Sequence, residues 1–231
     1  MPPSPPPADD RSLPLRERKR LRTRRTLAAT ALRMFTEGGF DATTLEALTA
    51  EAEVSRSTFF RAFPAKEAVA IEAEAEMWRA FEAALADRAL SGLVLTGLRD
   101  TLTEATAALP PDWDERYVAT RRLVLTAPAL LAYVEHHRTG VEKRVAAALT
   151  ERLALDQDDL RPEVLAELAT TAWSVAARGW VGQDGAGGRE VLLTRLRDAF
   201  AAIPAGLHLT ADPPQGRPGL SGTPRGVREV P

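Results

Sequence analysis

Arg56, Ser57, Thr58 and Arg61 surround two aromatics at i, i+4 spacing, Phe59 and Phe63. On a helix this spacing puts both rings on one side and leaves the polar groups largely on others. Arg presents a bidentate fork to a guanine edge, and Ser and Thr bond to more than one base. A short helix held by its rings, with such groups outward, is what reading the major groove of DNA requires. Ser55 suits the N-cap of this helix, Arg56 to Phe63, and Val54 plugs the corner before it. The preceding helix needs an apolar face, which Leu45, Leu48 and Ala52 supply. Thr43-x-x-Glu46 has the form of a capping box at its start. Lys66 opens the next helix against the macrodipole, so its charge needs a partner. A phosphate at that helix N-terminus would be one, and a carboxylate of Glu67 or Glu37 is the alternative.

Upstream lie Arg11, Arg16, Arg18, Lys19, Arg20, Arg22, Arg24 and Arg25, opposed only by Glu17. Beside a DNA-reading unit such a run tracks phosphates or enters a minor groove; otherwise it is a solvated arm. Residues 1–66 carry 12 Lys and Arg against 8 Asp and Glu, although the whole chain has a net charge of −2. A basic end on an acidic body suits a polyanionic partner at one end.

Composition removes several other classes. The chain has 231 residues and no cysteine, so disulfides, thiol catalysis and thiolate metal sites are excluded. There is no 18-residue apolar run and no apolar signal core, which points to a cytoplasmic protein without membrane contact. The Gly-rich 182–188 stretch lacks the Lys and Ser/Thr of a phosphate-binding loop. Asp156, Asp158 and Glu167 fall at calcium-loop spacing, but Leu160 and Arg161 occupy a ligand position and the turn glycine. His136 and His137 are adjacent, hence on different helix faces. No metal, no cofactor and no catalytic constellation is expected, and the protein is not expected to be an enzyme.

The elements that must carry these residues are helices throughout. The apolar part of the composition is mainly Ala and Leu, and no βαβ alternation appears. Helical spacing at Leu27, Ala31, Met34 and Phe35 runs to a stop at Gly38-Gly39. One long helix is expected from Lys66 to about Arg88, then helices near 93–108, 113–125, 128–153, 161–181 and 188–203. Residues 1–14 are Pro-rich, and 204–231 are rich in Pro and Gly, so both are expected to be disordered. The last two helices carry stripes at Leu165, Leu168, Ala172, Ala176, Trp180 and at Leu192, Leu193, Leu196, Phe200. Paired between two subunits, they would form a four-helix bundle in a homodimer.

Phe35-(x)2-Gly38-Gly39-Phe40-(x)2-Thr43-Thr44, followed by Val54-Ser55-Arg56-Ser57-Thr58-Phe59-Phe60-Arg61-Ala62-Phe63-Pro64-Ala65-Lys66-Glu67, resembles the DNA-binding domain of TetR-family transcriptional regulators. The likeness spans roughly residues 20 to 70. It implies an all-α chain with a helix-turn-helix head at 15–65 and a helical ligand-binding and dimerisation domain at 66–203. It also implies a repressor acting on a palindromic operator of double-stranded DNA. A ligand-independent architectural DNA binder is the alternative. Arg16, Thr43, Thr44, Arg56, Ser57, Thr58, Phe60, Arg61 and Lys66 are then the DNA-binding residues. Family members enclose a ligand among their body helices, where this chain places Trp78, Phe81, Trp113, Tyr117, Tyr133 and Trp173. Arg121 and Arg122 would pair an anionic group there, and residues 121–162 faintly resemble members that take acyl-CoA-like ligands. The implied ligand is small and hydrophobic or acyl-type. Four positions depart from the family pattern: Glu53 where the turn usually has Gly, Phe60 for Tyr, Ala62 for His and Ala65 for Ser.

Overall fold

The computed structural model describes residues 14–210, and every regular element among them is an α-helix. In order these are α1 (Leu15–Gly38), α2 (Leu45–Glu51), α3 (Arg56–Ala62), α4 (Lys66–Ala70), α5 (Glu72–Asp87), α6 (Val94–Ala107), α7 (Trp113–Thr126), α8 (Pro128–Arg152), α9 (Arg161–Val181) and α10 (Gly188–Gly206). The ends have local causes. Gly39 terminates α1 at φ +86°, a conformation that penalises a side chain, and its N–H returns to the Phe35 carbonyl. Pro128 and Pro162 stand at the starts of α8 and α9, where a missing N–H costs nothing.

Two apolar cores organise the helices. The first gathers Leu27, Ala31 and Phe35 of α1 with Leu48, Phe59, Phe63, Val69 and Ile71. It also takes in Leu123, Val124, Leu130 and Val134 of α7 and α8, so the small head is seated on the ends of two body helices. The second core lies within α5 to α10 and contains Trp78, Phe81, Trp113, Tyr117, Trp173, Trp180, Leu192, Leu196 and Phe200.

Four expectations are corrected. The helix from Lys66 is two helices, interrupted at Ile71 (φ −98°, ψ 16°). Residues 69–75 are all buried, against both the head and the body, and no single face of a straight helix can do that. Of the basic run from Arg16 to Arg25 only the later half is expected to merge into the first helix, but all of it lies in α1, which begins at Leu15. The last helix passes through Pro204 to Gly206, so the expected disordered tail does not begin at 204. The cap of α2 is Thr44 rather than Thr43: its side chain accepts from Ala47 N at 3.1 Å. The expected disordered stretches otherwise fall mostly on residues 1–13 and 211–231, outside the described residues.

Candidate nucleic-acid interface and buried aromatic cluster

α2 and α3 meet at a tight turn in which Glu53 takes φ +51°. This is the position where glycine is usual, and a side chain there costs about 1 kcal/mol or more. Ser55 caps α3 by accepting from Thr58 N at 3.1 Å. Phe59 and Phe63 are fully buried, tilted against each other with centroids 6.0 Å apart. They anchor α3 so that Arg56, Ser57, Phe60 and Arg61 lie exposed, with Thr58 half-buried. Phe60 is 48% exposed and leans edge-on to Phe59, a free ring on an otherwise polar face. Arg56 is paired with Glu46 of α2 at 2.7 Å, both side chains well exposed. A pair so open to water contributes little stability, but it orients the guanidinium toward the α2 side of the face. Thr44 and Arg16 are exposed at the starts of α2 and α1.

Two DNA candidates stand elsewhere. Thr43 is buried, and its hydroxyl donates to the Gly39 carbonyl at 2.8 Å. Lys66 turns to main-chain oxygens rather than to Glu67 or Glu37. Its ammonium donates to the carbonyls of Phe40 at 2.8 Å and Thr43 at 3.0 Å, and stands 4.0 Å from the centre of the Phe40 ring. It therefore fastens the loop between α1 and α2 to the start of α4, and this contact answers the unfavourable dipole.

Sequence reasoning missed Arg24, which it had grouped with the basic run. Arg24 lies over the Phe63 ring at 4.1 Å, bonds the Ala62 carbonyl, and grips Glu72 with Nε and Nη2 at 2.6 and 2.5 Å. No sequence signal pairs residues 48 positions apart.

In the body, Trp78, Phe81, Trp113, Tyr117 and Trp173 do come together, and all are at most 1% exposed. Trp113 stacks on Tyr117 with centroids 4.7 Å apart, and Trp173 Nε1 donates to Tyr117 Oη at 3.2 Å. Trp113 Nε1 donates to the Ala73 carbonyl at 2.8 Å. The rings fill the volume where a ligand cavity was expected. Such contacts contribute about 0.5–1.5 kcal/mol per pair beyond their burial. Tyr133 is not among them: it packs half-buried against the head core, beside Val134 and Leu130.

The two arginines expected to meet an anionic ligand have protein partners. Arg121 pairs with Glu74 at 2.9 Å, and Arg122 with Asp184. Glu74 is 5% exposed, and burial pushes its carboxyl above the ordinary range despite the guanidinium that favours the charge. Burial likewise raises the Tyr117 hydroxyl well above the usual phenol range, with the nearby Glu74 charge adding to it.

The stripes assigned to a dimer seam are also corrected. Ala172, Ala176, Trp180, Leu192, Leu196 and Phe200 are buried in the chain's own body core, and Leu165 packs against it. Small residues at this spacing bring α9 onto α10 of the same subunit. Leu168 is half-buried, and Val164, Thr171 and Val175 continue an outward stripe along α9. Among the described residues no group of His, Asp and Glu is arranged to hold a metal ion, and no helix is long and apolar enough to cross a membrane.

Residues 27–73 match the family model described as bacterial regulatory proteins, tetR family, and residues 93–208 match the one described as the MftR C-terminal domain. The chain is 35% identical over 179 residues to the HTH-type transcriptional regulator TcmR of Streptomyces glaucescens, covering 72% of this chain and 76% of that protein. Among solved structures, the SmeT–triclosan complex aligns with a TM-score of 0.51 at 19% identity, over 85% of this chain and 99% of the other. A transcriptional regulator of Pseudomonas aeruginosa PAO1 aligns with a TM-score of 0.50 at 17% identity, over 87% and 97%. At such identities the two structures speak for the fold alone.

Proposed function

This chain belongs to the TetR family of bacterial regulatory proteins, which are DNA-binding transcriptional regulators, and on that premise we propose that it is a ligand-responsive repressor. In this reading it works in the cytoplasm and binds a palindromic operator as a homodimer. The observation that carries the DNA half is the outward face of α3, with Arg56, Ser57, Phe60 and Arg61 exposed over two buried rings. Arg56 and Arg61 are the groups assigned to base edges, Ser57 and Thr58 to bases or phosphate, and Phe60 to ring contact. Arg16 and Thr44 are assigned to the flanking backbone. Dimerisation through the α9 stripe Val164, Leu168, Thr171 and Val175 would set two α3 helices against two half-sites.

The effector in this reading is a small hydrophobic molecule that enters the body among Trp78, Phe81, Trp113, Tyr117 and Trp173. Support comes from polar atoms buried in the body without a hydrogen-bond partner among the described residues, Thr106 Oγ1 and Trp180 Nε1 among them. SmeT, of the same fold, is known with triclosan. The effector must bind the DNA-incompetent arrangement of the heads better than the competent one, because only differential affinity shifts the equilibrium. With Arg121 and Arg122 already paired, nothing in the site singles out an anionic acyl group.

Genome-wide recovery of bound DNA followed by footprinting tests the first half; a sharp two-fold symmetric footprint is expected. A panel of acyl and aromatic compounds, read by Trp emission and operator release, tests the second. One observation favours a ligand-independent binder, namely that the aromatic core is closed. Operator binding indifferent to the whole panel would establish that reading instead.

A further inference from the structure

We propose that Arg24 is a positioning residue, not a phosphate contact, and that with Glu72 it sets the angle of the DNA-reading helix on the body. The inference rests on the DNA-reading role of α3. Arg24 belongs to a run of basic residues that are otherwise mostly exposed, yet its own side chain is only 24% exposed. Three of its donors are committed. Nε and Nη2 form a fork on the two Glu72 oxygens, and Nη1 reaches the carbonyl of Ala62, the last residue of α3. Its plane covers Phe63, one of the two rings that anchor α3. One guanidinium thus joins α1, the end of α3 and the start of α5.

The acid in this clasp is placed where it matters mechanically. Glu72 is the first residue of α5, directly after the break at Ile71, so it sits on the body side of the joint between head and body. It is 8% exposed and is held by Arg79, two turns along α5 itself, at 2.7 Å. One turn further, Glu76 is held by Arg116 of α7 at 2.8 Å. Glu72 is therefore fixed to the body, and Arg24 transmits that fixed point to α3. A bidentate Arg–carboxylate pair that is partly buried defines a direction as well as an attraction, which a single screened charge does not. Loss of the fork leaves α1 and α3 free to tilt about Ile71, and two tilted heads no longer meet two half-sites in register.

The test uses the full chain with Arg24→Met, which keeps an unbranched stem without the guanidinium, and Glu72→Gln, which keeps size and one acceptor. The probe is the genomic fragment most enriched by the wild type, with a random duplex of equal length beside it. Both variants should bind the enriched fragment about tenfold more weakly, with random-duplex affinity and the slope of log affinity against log salt unchanged. The charge swap Arg24→Glu with Glu72→Arg should recover part of the loss. A slope reduced by about one in Arg24→Met alone, equally on both duplexes, would make Arg24 a phosphate contact and overturn the proposal. Wild-type affinity in both variants would overturn it as well. Loss of native near-UV dichroism in both would reduce the clasp to a stability element, again against the proposal. A wild type that enriches no fragment is a different failure, that of α3 as a DNA reader.

Discussion

At the residue scale, the contacts of Lys66, Glu53 and Glu74 each fix a measurable outcome. Lys66 donates to two carbonyls and faces the Phe40 ring. Hydrogen bonds to a charged group contribute ~1.5–3 kcal/mol, so Lys66→Met should lower unfolding stability by about 2 kcal/mol in urea titrations. The salt slope of DNA binding should stay as in the wild type; a fall of about one would return Lys66 to the phosphate backbone. Glu53 occupies φ +51° without need of its side chain. Glu53→Gly should raise stability by about 1 kcal/mol, read in the same titration. Glu74 is a buried acid whose proton is held more firmly in the native state than in the unfolded chain. Such a group contributes stability that is full below its unfolded pKa and is lost as pH rises through its native pKa. Glu74→Gln should therefore gain on the wild type as pH rises above the ordinary carboxylate range. A stability difference independent of pH would show that Arg121 fully offsets the burial.

At the scale of elements, the two sides of α9 have opposite duties. Its inner side carries Ala172, Ala176 and Trp180 into the body core, where α10 answers with Leu192, Leu196 and Phe200. Its outer side leaves Val164 and Val175 52% and 55% exposed. Leu196→Ala should cost ~2–5 kcal/mol, because it opens a cavity within the subunit. Val175→Glu should leave the thermal transition of the subunit intact and yield monomers in sedimentation equilibrium, because a charge in a helix–helix seam is costly unless paired. A Val175→Glu dimer as firm as the wild type would move the proposed interface off this face. The caps of the reading unit behave more simply. Thr44→Ala and Ser55→Ala each remove an acceptor from a helix N-terminus and should each cost about 1 kcal/mol.

On the scale of the whole molecule, the head core is completed by Leu123, Val124, Leu130 and Val134 from α7 and α8. The same α7 carries Trp113 and Tyr117 into the aromatic core. A compound that opens that core displaces rings on a helix whose far end supports the head. Trp emission and operator affinity should therefore change together, and the coupling should be reciprocal. Operator DNA must lower affinity for the compound by the factor that the compound lowers affinity for DNA, ~5- to 150-fold for useful control. Titrations of each ligand in the presence of the other check this. An emission change with unchanged operator affinity would place the compound at a site uncoupled from the heads.

Local pattern was enough to determine the helices, their order and most of their ends, because periodicity, caps, Gly and Pro act within a few residues. The exposed face of α3 was legible for the same reason: Phe59 and Phe63 one turn apart leave Arg56, Ser57 and Arg61 outward whatever lies elsewhere. The family likeness followed from those same contiguous residues. Only the tertiary structure decided what the charged and amphipathic side chains face. Lys66 and Arg24 are cations of the same kind as Arg16 in sequence, yet carbonyls and a carboxylate from distant elements claim the first two. Arg121 meets Glu74 across 47 positions, so its charge is answered inside the fold. Ala172, Ala176, Leu192 and Leu196 give the same period whether they face the partner helix of their own subunit or that of another. A stripe records that a face is buried, and what buries it depends on how the helices share the available contacts.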